Sequence, residues 1–344
     1  IASDDNSYYL IEECQELLQP GNWHLEQGGM FNEKLFLNHQ YFDTTYHLGV
    51  LILDTVINTL GRVKSFSESS FTLVNENNST EYVFTSNFEE RCTYIPDDKF
   101  EQIMISLGHD DVMDNYIKTS NIDSITTLHY SLYERGIYDL TGIQGFSSLT
   151  ELNVAGNYIE TLDLSHNDQL EIINCADNQV LHTLILGENP NLIELCCVWN
   201  ELTHLDISKN INLQKLDIGI NYITDIDLSN NVELTHFIAS ISSSFTSLDF
   251  TFNNKLNTLV LSADALTELS GINHFPPLLR HLEITYCPLL ESLDLRTGHG
   301  MNLSYFGITN SDNLTCIDVD DMQYFYTNWG LNIDPHVSFS HNCP

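Results

Sequence analysis

The amino-acid sequence predicts a solenoid of short coils, β-rich and with strands on both sides of each coil, and two observations predict it. From Leu149 the chain reads LTELNVAGNYI, then LEIINCADNQV, LIELCCVWNEL, LQKLDIGINYI and, one break later, LNTLVLSADAL, each on the pattern L-x-x-L-x-L-x-x-N-x-L. Corresponding core positions Leu152, Ile173, Leu195, Leu216, Phe237 and Leu259 stand 21, 22, 21, 21 and 22 residues apart. Self-similarity at such a period marks stacked repeats. The second observation is that the intervening halves repeat the motif: TLDLSHN at 161–167, TLILGEN at 183–189, HLDISKN at 204–210, DIDLSNN at 225–231 and SLDFTFN at 247–253. Core positions then advance by 10 or 11 residues, through Leu162, Leu184, Leu205, Ile226 and Leu248. An amphipathic helix is excluded, because its apolar positions recur near every 3.6 residues, whereas L-x-L alternation belongs to a short strand.

Composition bounds what such a rod can do. The 344 residues carry 12 Lys and Arg against 48 Asp and Glu, a formal net charge of −36. Phosphate backbones and bare anionic membranes are held by clustered cations, so nucleic acid is excluded as a partner and membrane binding is disfavoured. No apolar run approaches the roughly 18 residues of a membrane span. The opening Ile1 in place of Met leads to the expectation of a processed chain.

Residues 1–92 read as a separate small β-rich module. FTLVNENNSTEYVFTS alternates polar and apolar residues, and a short helix is expected around Glu12 to Leu18. The run ECQELLQPGNWHLE, followed by strands, resembles the Gly-x-Trp opening of small lipocalin-like β-domains. Residues 93–148 read as the leading cap with a first irregular coil. Asp97 is the N-cap candidate of a helix with apolar Phe100, Ile103, Met104 and Leu107, closed by Gly108. Such a helix is expected to cover the open apolar end of the first coil. Repeats then fill 149–312, and 313–344 form the terminal cap.

The central runs are leucine-rich repeats. One coil cannot cover its own apolar row but its neighbours can, so stability is collective and the ends need caps. Asparagines 157, 167, 178, 189, 200, 210, 221, 231 and 253 end the half-coils, where their amides satisfy inward-facing backbone groups. At Ser242 to Ser244 serines replace the expected Asn, and a loosened turn is expected there.

The nested half-coil pattern over 149–269 resembles the short bacterial leucine-rich repeats called the IRREKO class. Residues 95–147, with DLTGI at 139–143, resemble the leading segment of exported leucine-rich repeat proteins from Bacteroidetes, and 314–343 resemble the terminal cap of that group. The resemblance implies a secreted or cell-surface protein used in adhesion or nutrient capture. The sorting domain that often follows this cap in the group is not in the sequence.

Eight cysteines show no paired C-x-x-C spacing. Cys14 and Cys92 bracket the first module, while Cys316 and Cys343 bracket the terminal segment; these read as staples, with connectivity open. Cys175 and Cys197 fall on apolar repeat positions, where a thiol acts as a small hydrophobe. Disulfides fit export.

No motif carries catalysis. The 14 histidines are scattered, with no H-E-x-x-H and no nucleophile elbow. Paired carboxylates are uninformative in so acidic a chain. A binding surface emerges from the register instead. The residue at the place before the repeat Asn, which is Ser242 in the fifth coil, is Gly156, Asp177, Trp199, Ile220 and Ile241 in successive coils. Coils stack about 4.8 Å apart, so Trp199, Ile220 and Ile241 line up, with Ile238 and Val260 on the strand face beside them. Tyr286 extends the row if the coil at 279–289 keeps register. An exposed apolar patch marks a partner or ligand site; the alternative is that these side chains tuck into the turn core.

On the other strand set Asp206, Asp227 and Asp249 form a ladder. Charges about 5 Å apart repel by roughly 0.8 kcal/mol in water. Calcium is one relief; hydrogen bonds to adjacent Ser and Thr with salt screening are the other. The sequence therefore predicts a non-catalytic binding protein taking a protein or glycan on its strand-lined face. An enzyme or enzyme accessory acting through residues 1–92, and a structural spacer, are the alternatives.

Overall fold

The computed structural model describes residues 92–344, apart from 129–131, 242–244, 273–277 and 298–302, together with four short strands before residue 92. The chain divides into two compact units, 1–122 and 123–344. Cys14, the Glu12–Leu18 segment, the Gly-x-Trp run and the Ser242–Ser244 break lie outside the described residues.

In the first unit, Arg62–Phe66, Ser70–Val74 and Glu81–Thr85 form an antiparallel meander, and His24–Leu25 adds to the free side of Glu81–Thr85. Cys92–Tyr94 pairs antiparallel with Tyr116–Lys118. Between them runs the helix Asp98–Ser106, whose cap Asp97 accepts from the backbone N–H groups of Lys99 at 2.9 Å and Phe100 at 3.0 Å. Phe100 and Met104 are sealed, and Gly108 at φ +79° ends the helix, a conformation that glycine adopts without steric cost. Ile103 is half-buried and Leu107 exposed, so the buried stripe is narrower than the apolar pattern suggests. Glu101 is buried as well, its carboxylate accepting from the N–H groups of Asp114 at 2.8 Å and Asn115 at 2.5 Å.

The second unit is a β-solenoid. Nine parallel strands form one long sheet in coil order: Thr127–Leu128, Glu151–Asn153, Ile172–Asn174, Glu194–Cys196, Lys215–Asp217, His236–Ala239, Thr258–Leu261, His281–Thr285 and Tyr305–Thr309. Register is kept throughout, with Leu152, Ile173, Leu195, Leu216, Phe237, Leu259, Leu282 and Phe306 in line and each at most 1% exposed. A one-residue slip in any coil would turn that coil's apolar set to solvent, so the L-x-L alternation fixes the pairing.

The opposite side carries shorter ladders. Thr161–Asp163 pairs with Thr183–Ile185, Ser247–Asp249 with Glu268–Ser270, and Leu293–Asp294, Cys316–Asp318 and Ser338–Ser340 make a three-stranded end. His204–Asp206 and Asp225–Asp227 run without strand pairing, and Ile226 is half-buried where the sequence pattern predicts a sealed position.

Two rows of buried asparagine hold the turns. In the first, Asn178 accepts on its side-chain oxygen from the N–H of Ile159 at 3.1 Å and donates from its amide to the carbonyls of Val154 and Cys175, both at 3.0 Å. Asn200 and Asn221 repeat the arrangement one and two coils on. In the second row Asn167, Asn189, Asn210, Asn231 and Asn253 donate to carbonyls of neighbouring coils, while their side-chain oxygens take no protein donor.

At the terminal end the helix Met322–Trp329, capped by Asp321 through the N–H of Tyr324 at 2.9 Å, lays Phe325 edge-on against Phe306 of the last long strand with ring centres 5.5 Å apart. Phe339 packs on the same pair, so the apolar end of the stack is covered. A disulfide joins Cys316 to Cys343.

Candidate binding surface

Four of the long strands leave the sheet through a turn that swings an asparagine amide into the core, and the residue before that asparagine takes the left-handed conformation: Gly156 at φ +72°, Asp177 at +55°, Trp199 at +62° and Ile220 at +52°. Ile241, at the matching place before Ser242, takes it as well at +55°. Glu134 at +52° starts the same line, and Tyr286 at +53° resumes it, since the coil at 279–289 keeps register. Backbone bonds tie the line together. The N–H of Asp177 donates to the carbonyl of Val198 at 2.9 Å, that of Trp199 to Gly219 at 2.9 Å and that of Ile220 to Ser240 at 2.8 Å.

This conformation costs an L-residue roughly 1–2 kcal/mol, and for β-branched isoleucine it is a genuine outlier. Glycine or asparagine would hold the turn more cheaply. The sequence nevertheless places Trp, Ile and Ile in three consecutive coils, with Trp199 53% and Ile241 67% exposed and Ile220 half-buried. Tyr286 is 59% exposed, but Ala263 occupies the intervening coil, is buried and is not left-handed, so the row is broken there.

Beside the row, on the solvent face of the sheet, Cys196, Asp217, Ile238 and Val260 stand in register on consecutive strands, all half-buried. Burial pushes the Asp217 carboxyl above its ordinary range, against a bond from the N–H of Gly219 at 3.2 Å. Gly219 itself lies in the row's shadow, where an added Cβ would sit 2.9 Å from the carbonyl of Ser240.

The aspartates of the opposite side are each engaged locally. Asp206 accepts from the N–H of Ser208, Asp227 from that of Ser229 and Asp249 from that of Thr251, all at 2.9 Å, and the Thr251 hydroxyl adds a bond of 2.6 Å to Asp249. These bonds hold all three carboxyls below their ordinary range. Among the described residues no group of three or more His, Cys, Asp or Glu is placed to hold a metal ion.

Cys175, Cys197 and Cys287 are buried free thiols. Burial pushes Cys287 up to about 11 and holds Cys175 and Cys197 well above the ordinary thiol range, so none is a poised nucleophile at neutral pH. His281 stacks on Tyr305 with ring centres 4.6 Å apart, and His236 bonds the Thr235 hydroxyl at 2.8 Å. Activity in residues 1–92, the enzymatic alternative, concerns a region mostly outside the described residues.

Two features of the surface escaped the repeat pattern. Glu134 heads the row from an irregular coil, where counting from the repeat cannot place it. Tyr138 and Tyr158, both exposed, stack with ring centres 5.1 Å apart, and Tyr222 is exposed two residues after Ile220.

The fold is a leucine-rich repeat solenoid. No family model matches the chain, and no curated protein sequence matches it. Among solved structures it is similar to the functional domain of InlJ from Listeria monocytogenes, described as including a cysteine ladder, at 19% identity over 70% of this chain and 80% of that one, with a TM-score of 0.31. Internalin C2 of the same organism matches at 18% identity over 67% and 97%, TM-score 0.38. A leucine-rich repeat protein of Leptospira interrogans matches at 15% identity over 58% and 62%, TM-score 0.30.

Proposed function

We propose that the chain is a non-catalytic binding protein of the adhesion type, secreted or held at a cell surface, which docks a protein partner on the line Trp199, Ile220 and Ile241 and the adjoining strand face of Ile238 and Val260, with Tyr286 as an outlying contact. One observation carries this reading: large apolar side chains occupy three consecutive left-handed positions where the fold alone favours glycine or asparagine, and two of the three are largely exposed. Strain kept where packing does not require it supports a functional reason. Rigid aromatics such as Trp199 supply contact area at low entropic cost and dominate interfaces when buried by a partner. Export is supported by the Cys316–Cys343 disulfide and by the resemblance of the nested repeats and both flanking segments to exported Bacteroidetes proteins.

The test is an array of purified extracellular proteins and glycans probed with the full chain and with Trp199→Ala and Ile241→Asn variants shown by melting curves to be folded. Protein partners retained by the parent and lost by the variants support the reading. Partners retained equally by all three overturn it, and a glycan bound in a Trp199-dependent way replaces protein by glycan.

A further inference from the structure

The left-handed line is chemically graded, and the grading says what kind of protein segment it fits. Its first members are acidic: Glu134 and Asp177 flank Gly156, and an added Cβ on Gly156 would meet the Glu134 side chain at 2.5 Å, so Glu134 lies across the glycine toward Asp177. The Tyr133 hydroxyl bonds the Glu134 carboxylate at 2.7 Å and also feels the charge of Asp177; both effects hold the phenol above its ordinary range. Trp199 follows Asp177 on the next coil, joined to it through the bond from the N–H of Asp177 to the carbonyl of Val198. At a coil spacing of about 4.8 Å, two carboxylates thus lie one to three coils from an apolar shelf of three side chains.

Charge complementarity points to the occupant. Between residues 132 and 241 the sequence carries sixteen acidic residues against three basic ones, Arg135, Lys209 and Lys215. Lys215 is taken up by Glu194 at 2.8 Å. A like-charged epitope is repelled from this surface, whereas a basic one is steered to it and fixed in register.

Building on the reading above, we propose that the line receives an extended basic-apolar segment of a partner protein, with a Lys or Arg side chain between Glu134 and Asp177 and apolar side chains on Trp199, Ile220 and Ile241. Successive same-face residues of a strand are about 6.6 Å apart, so a cation at i with apolar residues at i+2, i+4 and i+6 spans the four coils, about 19 Å, from the level of Gly156 to Ile241.

The experiment uses the full chain and three fluorescent octapeptides whose Lys and Leu share one strand face: Lys-Ser-Leu-Ser-Leu-Ser-Leu-Ser (Lys-Leu), the same with Glu for Lys (Glu-Leu), and the same with Ser for every Leu (Lys-Ser). The Lys-Leu peptide is expected to bind at least about tenfold tighter than either control, a difference of about 1.4 kcal/mol. Trp199→Asn, and separately the Glu134→Gln, Asp177→Asn pair, each weaken it by about tenfold, while the Asp206→Asn, Asp227→Asn pair, which removes the same charge from the opposite side, changes it less than about twofold. All these replacements suit the turns they occupy, and melting curves verify folding. Equal binding of the Glu-Leu peptide that still depends on Trp199 overturns the cationic assignment and leaves the docking reading standing. Lys-Leu binding insensitive to Trp199 is diffuse attraction and overturns both. Equal loss in the two acid-neutralised pairs, or no binding at all, overturns this inference, with the array experiment deciding the docking reading separately.

Discussion

The N–H of Trp199 donates to the carbonyl of Gly219 at 2.9 Å, and Gly219 has no room for a side chain. An added Cβ would sit 2.9 Å from the Ser240 carbonyl, 3.2 Å from its nitrogen and 3.3 Å from a methyl of Val198. Two of those three atoms are backbone of the next coil and cannot swing away. Gly219→Ala is expected to wedge adjacent coils apart and cost about 1–3 kcal/mol. Over a unit of this size that lowers the melting temperature by roughly 3–10 °C. An unchanged melt would show that the coils separate freely at this point.

The row of left-handed side chains makes an opposite prediction. Ile241 is 67% exposed at φ +55°, so little packing offsets the strain. Asparagine tolerates this conformation far better than a β-branched residue. Ile241→Asn is therefore expected to stabilise the solenoid by about 0.5–1 kcal/mol while weakening partner binding. Chemical denaturation decides the point. A destabilisation of similar size would mean that Ile241 contributes to the core instead of standing outside it.

Much of this architecture is legible in the sequence because the repeat period is a direct count. The alignment of Leu152 through Leu259, the two asparagine rows and the line of Trp199, Ile220 and Ile241 all follow from register. The handedness of that line does not, because Trp and Ile give no sign of a left-handed turn and only Gly156 does. The unpaired stretches at His204–Asp206 and Asp225–Asp227 are equally hidden. HLDIS and DIDLS place side chains inward as well as TLDLS does, but side-chain alternation does not set the distance between neighbouring coils on that face. Glu101 reads as a surface residue of an amphipathic helix, and only the nearby N–H groups of Asp114 and Asn115 explain its burial.

The two asparagine rows are expected to differ in energetic weight. Removing the Asn200 side chain orphans the N–H of Asn178, bonded at 2.9 Å, and takes one bond each from the carbonyls of Cys175 and Cys197, at 3.1 Å and 2.8 Å, which keep the amides of Asn178 and Asn221. A buried orphan costs about 1–3 kcal/mol and a lost bond about 0.5–1.5, so Asn200→Ala is expected to lose about 3 kcal/mol or more. Asn210 donates one bond, to the Asn189 carbonyl at 3.3 Å, and its side-chain oxygen has no protein donor. Asn210→Ala then costs about 1–2 kcal/mol. Equal losses in urea titrations of the two variants would contradict this division.

The terminal segment is held by three separate ties. Cys343 is bonded to Cys316 and also gives its N–H to Asp318 at 2.7 Å, and Arg296, clamped by both oxygens of Asp294 at 2.9 Å, donates to the His341 carbonyl at 3.1 Å. The disulfide spans 27 residues, including the helix that covers Phe306. By loop entropy its removal costs roughly 3–4 kcal/mol. Cys343→Ser is expected to expose Met322–Trp329 to limited proteolysis well before the central coils. Cleavage that starts in the central coils instead would show that the cap is not the weak end.

Acid should act on this chain in two opposite senses. Asp163, Asp206, Asp227 and Asp249 are held below their ordinary value of 3.8, chiefly by Ser and Thr bonds that outweigh burial, so their contribution is present above 3.8 and is lost as pH falls through the lower folded values. Asp217 is raised above 3.8 by burial, and Glu101, Asp110 and Asp114 are raised by burial and by the charge of neighbouring aspartates. For these the folded state binds the proton more tightly, so stability grows as pH falls from neutrality toward 3.8. Relief of self-repulsion at a net charge of −36 has the same sign. The melting temperature is therefore expected to rise on mild acidification and to fall again below 3.8, as the aspartate turns protonate. Asp217→Asn separates the local effect from the global one. It should melt higher than the parent at pH 7 and gain less on acidification, because its share of the penalty is already gone. A lower melt at pH 7 would mean that the carboxylate's bond to the Gly219 N–H outweighs its burial.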